Sequence, residues 1–173
     1  MALRFRCGGH GTFRALALLG SHREHYRRAR EGDLPLLRAA VLESLRLWPT
    51  TPLVLRETRT ATEWRNGTMP AGTAIVIFAP FFHRNAERLP FADRLAPEIW
   101  RNDRPIGDWP LIPFSEGPAR CPGKDLVLLL TTSVLSHLVS IPRLELRQTR
   151  KLDSSQTLPA SLNHFALRFS VGG

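Results

Sequence analysis

The residues with the clearest capacity for chemistry lie in one stretch, Pro113-Phe114-Ser115-Glu116-Gly117-Pro118-Ala119-Arg120-Cys121-Pro122-Gly123. Cys121 stands two residues before Gly123, where an apolar run suited to a helix begins. Backbone N–H groups at that helix start, together with Arg120 beside the sulfur, supply the positive potential that an anionic sulfur ligand needs. Gly117 and Gly123 leave the backbone free to approach a flat, bulky group, and Phe114 is placed to shield the sulfur from water. The indicated chemistry is ligation of a metal by one sulfur. Cys7 reads as an incidental thiol, and two cysteines cannot build a disulfide framework. His22 and His25 lack a third ligand for zinc, no His-Glu-x-x-His motif occurs, and His10, His83, His137 and His164 stand at no hydrolase-triad spacing.

A single sulfur in a glycine-flanked loop suits haem iron, which takes one axial thiolate. Upstream, Glu43-Ser44-Leu45-Arg46 places an acid and a base on one face of a helix, close enough to pair. Together these segments resemble the cytochrome P450 family of haem-thiolate monooxygenases. The family loop is Phe-x-x-Gly-x-Arg-x-Cys-x-Gly, and Phe114, Gly117, Cys121 and Gly123 stand at their places, with Ala119 at the basic position and Arg120 one step later. Glu43 and Arg46 match the Glu-x-x-Arg signature, which the resemblance makes a structural ion pair. Its usual third partner is an Arg, where Pro97-Glu98-Ile99-Trp100 carries Ile99, so the three-way network is expected to be incomplete. Pro52-Leu53-Val54-Leu55-Arg56 resembles the strand whose Arg meets a haem propionate. Gly8-Gly9-His10-Gly11-Thr12 resembles the oxygen-activation stretch, with Gly11 at the acidic place and Thr12 as the expected catalytic hydroxyl.

The resemblance runs from about Gly8 to Ser170 and corresponds to the C-terminal portion of a family more than twice as long. It implies haem b held by Cys121, with Arg56 and Arg120 toward the propionates. It also implies an acidic redox partner, a ferredoxin or flavoprotein reductase, approaching near Arg101, Arg120 and Lys124, and a small organic substrate receiving one oxygen atom of O2. A non-catalytic remnant that binds haem weakly or not at all is the alternative, and a basic nucleic-acid binder is a remote one. Apolar faces suited to packing against further helices are expected to promote association.

The elements that must position these residues are legible in part. Residues 8–32 read as the end of an oxygen-side helix and a following one, Thr12–Gly20 and Ser21–Arg30, with Ser21 as a cap. A helix over 33–48 is capped by Asp33, carries Pro35 in its first turn and stops at Pro49. Leu53–Glu57, Thr60–Trp64 and Ala74–Phe78 form a small antiparallel sheet over 52–79, Asn66-Gly67 turning between the latter two. A meandering coil over 80–112 holds scattered prolines and tryptophans, 113–123 is the haem-binding loop, 124–140 an apolar helix, and 141–173 terminal strands at Leu144–Leu146 and Leu162–Ser170. The fold class is therefore α+β, mainly α, as one domain over 1–173.

Composition agrees. The 173 residues carry 24 Lys and Arg against 15 Asp and Glu, a net charge of +9 that favours acidic partners. The run Arg23–Arg30 reads as a solvated helix face, since no base-reading fold accompanies it. No run approaches the ~20 apolar residues of a membrane span, and the apolar stretch Ala15–Leu19 is too short for a signal peptide, so a cytoplasmic location is expected.

Overall fold

Asp33 starts the central helix. In the computed structural model, which describes residues 6–101, 110–147 and 152–172, its carboxylate accepts the Leu36 N–H at 2.9 Å and Pro35 occupies the first turn. This is helix α3, Leu34–Leu47, and Ala39 through Trp48 are all buried. A helix apolar on nearly every side must be surrounded. Helices α1 (Arg6–Ser21), α2 (Arg23–Arg30) and α5 (Lys124–Ser140) surround it. Ala15, Leu16 and Leu19 of α1 meet Leu36, Leu37, Ala40 and Val41 of α3 and Leu128, Leu135 and Val139 of α5 in one core. A second core joins Ala17, Leu18, Leu47 and Trp48 to Leu152, Leu158 and Leu162 of the C-terminal segment.

Three expectations are corrected. Helix α1 begins at Arg6, upstream of the expected Thr12, so the glycine-rich stretch is helical. A Cβ at Gly11 would lie 3.6 Å from Ser44 Oγ and 3.7 Å from Leu45, ordinary van der Waals distances, so α1 packs against α3 here with room for a methyl group. Ser21 does not cap α2. Its hydroxyl donates back to the Ala17 carbonyl at 2.7 Å within the last turn of α1, and His22 takes the N-cap position. A hairpin turn does form there, but its two loop residues are Arg65 and Asn66, and it joins strand β2 (Thr62–Trp64) to a short strand β3 (Gly67–Met69), Trp64 pairing with Gly67. Strand β4 (Ala74–Phe78) passes that hairpin and pairs antiparallel with β1 (Leu53–Glu57), Leu53 opposite Phe78 and Arg56 opposite Ile75.

The sheet is thus a set of two-stranded ribbons, the third pairing β5 (Leu144–Leu146) with β6 (Phe169–Val171). The expected strand over Leu162–Ser170 is instead a 3-10 turn at His164–Ala166 followed by β6. The expected coil is interrupted by a short helix, α4 (Ala79–His83), and by a 3-10 turn at Pro97–Trp100. Its 102–109 stretch and the Cys7 side chain lie outside the described residues. Leu53, Leu55, Val76 and Phe78 share one exposed face of the β1–β4 ribbon, and Leu126, Leu129, Leu130 and Val134 are exposed along α5. Such faces drive association.

Candidate functional site

The Glu43–Arg46 pair is fully buried, both side chains being 0% exposed. Helical spacing brings the two together, with Arg46 Nε donating to Glu43 Oε1 at 2.7 Å and Nη2 to Oε2 at 2.8 Å. The rest of the guanidinium gathers the coil. Nη1 donates to the carbonyls of His83 (2.9 Å) and Ala92 (2.8 Å), and Nη2 to that of Arg94 (2.7 Å). The Phe91 ring lies 5.4 Å from the guanidinium carbon. Each oxygen of Glu43 accepts a second bond: Oε2 from the Ala96 N–H and Oε1 from the Trp100 indole N–H, both at 2.8 Å. As expected with Ile99 at that place, no second arginine pairs with Glu43 among the described residues. A backbone amide and an indole supply the donors without a second arginine, and the buried pair stays charge-balanced.

The coil so held leads into the cysteine loop. Ser115 N–H donates to the Ile112 carbonyl at 3.0 Å, and Cys121 N–H returns to the Phe114 carbonyl at 2.9 Å, closing the loop on itself. Two residues adopt left-handed backbone, Gly117 at φ 73° and Ser115 at φ 62°. For a non-glycine this conformation is uncommon. Ser115 turns its hydroxyl to the Arg56 guanidinium, 2.6 Å from Nη2, which fastens strand β1 to the loop. Helix α5 then starts behind Gly123. Cys121 is free and half-buried, whereas Arg120 is exposed. Phe114 packs against the main core.

His83, at the end of α4, is 0% exposed, and its Nε2 accepts the Ile112 N–H at 2.9 Å. Burial pushes its pKa down to about 4, opposed by a backbone interaction with Arg46, while the charge of Arg46 adds a smaller push in the same direction as burial. Between the ordinary 6.5 and 4 the unfolded chain therefore takes up the proton first, and stability falls as pH drops through that window. Roughly 3 kcal/mol is lost once both states are protonated. Denaturant titrations at pH 7 and pH 4.5 should show a smaller difference for His83→Gln than for the parent. Parallel pH profiles would refute this assignment.

Comparison with known proteins decides the family. The model of the family "Cytochrome P450" matches residues 16–166. The chain belongs to the cytochrome P450 family. The "Cyclooctat-9-en-7-ol 5-monooxygenase" of Streptomyces melanosporofaciens is 38% identical over 117 residues, 65% of this chain and 26% of that protein. Cytochrome P450 11B1, mitochondrial, of Rattus norvegicus is 32% identical over 117 residues, 67% of this chain and 23% of that one. The crystal structure of CYP175A1 from Thermus thermophilus superposes with a TM-score of 0.69 at 23% identity, covering 80% of this chain and 35% of that one, which shows a shared fold. The chain thus spans about a quarter of the length of these curated P450 relatives.

The residues of this P450 chain can be tested against a haem. Among the described residues no group of three or more His, Cys, Asp or Glu could hold a metal, and Cys121 offers one free sulfur, the donor type and number that a haem-thiolate site takes from the protein. A Cβ at Gly117 or Gly123 would meet no atom within 4 Å beyond its own chain neighbours, so space is open at both glycines of the loop. Arg56 brings a permanent cation to the same loop. The donor set fits haem. Of the expected site residues, the structure brings Arg56, Phe114 and Cys121 to the loop, Arg56 through Ser115, and pairs Glu43 with Arg46 behind it. Thr12 is buried in α1, one residue beyond the Gly11 contact with α3. Sequence reasoning missed Ser115, His83 and Trp100. Their partners lie 59, 29 and 57 residues away, a separation that no local pattern encodes. Among the described residues no helix is long and apolar enough to cross a membrane.

Proposed function

We propose that the chain is the haem-binding, C-terminal part of a P450-type monooxygenase, with Cys121 as the axial thiolate ligand of haem b. The half-buried, unpaired sulfur in a glycine-flanked loop joined to Arg56 carries the reading. Haem when bound supplies O2 activation, with insertion of one oxygen atom into an organic substrate. The chain's own residues hold and orient it. Cys121 presents sulfur, the guanidinium of Arg56 pairs with a propionate in place of Ser115, and exposed Arg120 reaches the other. Glu43 and Arg46 fix the coil that carries the loop. Thr12 holds a hydroxyl in the helix expected to face the oxygen side, and Gly11 leaves it without an adjacent carboxylate, so its proton comes through water.

The acidic redox partner, a ferredoxin or flavoprotein reductase, is assigned to the cysteine side, where Arg120 is exposed and the net charge of +9 favours an acidic surface. A small organic substrate follows from the reaction class. Haem titration tests the propionate assignment: the parent should bind one haem per chain, and Arg56→Gln should bind about tenfold more weakly through loss of a charge-assisted bond. Unchanged affinity would remove Arg56 from the site.

A further inference from the structure

We propose that His83 is the positioning residue that ties the cysteine loop to the buried Glu43–Arg46 pair. Its two polar ends face opposite ways. The backbone oxygen accepts Arg46 Nη1 at 2.9 Å, while ring Nε2 accepts the Ile112 N–H at 2.9 Å. Ile112 in turn accepts the Ser115 N–H, and Ser115 accepts Arg56. One residue of the α4 turn therefore stands between the buried ion pair of α3 and the segment entering the loop. A backbone amide donates to Nε2, so the ring hydrogen sits on Nδ1, which is buried without a hydrogen-bond partner among the described residues.

The role requires an acceptor and not merely a ring. A phenylalanine fills a similar volume but strands the Ile112 N–H, and an unsatisfied amide in a partly buried segment opens more readily. A glutamine is less well matched in shape but keeps an acceptor oxygen. The two variants thus separate hydrogen bonding from packing. The tether itself needs no cofactor, and its effect on the axial sulfur rests on the haem reading above.

The test is amide hydrogen exchange on the full chain without haem, paired with the carbon-monoxide spectrum of the haem-loaded, reduced chain. In His83→Phe the Ile112 amide should exchange about tenfold faster, relative to α3 amides, and a larger share of loaded chains should lose the thiolate signature. In His83→Gln both readouts should stay within about threefold of the parent. Unchanged Ile112 protection in His83→Phe, or equal damage from both variants, would overturn the proposal. If His83→Phe unfolds globally, the α3 amides register it, and His83→Gln then decides: retained Ile112 protection supports the tether and lost protection overturns it. If exchange behaves as expected while no chain, parent included, shows thiolate ligation, the tether stands and the haem reading fails.

Discussion

Arg46→Leu should lower stability by about 3–5 kcal/mol, because it leaves Glu43 as an uncompensated charge in the interior. The loss also removes donors to four backbone carbonyls, at His83, Phe91, Ala92 and Arg94. For a domain whose total stability is about 5–15 kcal/mol, this is a large fraction. Arg46→Lys tests the geometry separately. An ammonium keeps the charge but cannot span Glu43 and the coil carbonyls with a planar fork, so it should retain part of the lost stability and no more. Urea denaturation of the three proteins measures both effects. A lysine variant as stable as the parent would mean that charge alone matters. A leucine variant within about 0.5 kcal/mol of the parent would mean that the pair has no stabilising role.

Cys121→Ser should abolish thiolate ligation while changing stability little. The sulfur makes no disulfide and sits half-buried at the loop surface. The loop is closed by the Cys121 backbone N–H on Phe114, which serine retains. Substitutions of that kind usually alter stability by about 0.5 kcal/mol or less. A serine hydroxyl remains protonated where a thiolate forms, so it is a poor iron ligand, and the electron donation particular to thiolate disappears with it. A large spectral effect with a small stability effect is the expected signature. A destabilisation of several kcal/mol would instead identify Cys121 as a packing residue.

Much of this was legible in the sequence, for reasons that differ by element. The Asp33 cap and Pro35 announce α3 because both act within one turn. Glu43 and Arg46 pair because three residues along a helix bring side chains together whatever surrounds them. The start of α1 was hidden by Gly8, Gly9 and Gly11, whose helix propensity is poor, although at Gly11 the helix is fastened to α3 by Ser44, whose hydroxyl donates to the Gly11 carbonyl at 3.1 Å. Strand β3 was missed because three residues, Gly67 to Met69, carry no readable alternation, and the Asn66-Gly67 turn was joined to the wrong partner as a result. The donors that stand in for the second arginine lie beside the motif position, at Ala96 and Trp100, and are recognisable once Glu43 has a place in space.

The carbon-monoxide difference spectrum of the reduced, haem-loaded chain tests the central claim most directly. Thiolate ligation by Cys121 requires a strongly red-shifted Soret band in the parent that is absent from Cys121→Ser. A band of histidine type in the parent, or the same band in both proteins, would contradict it.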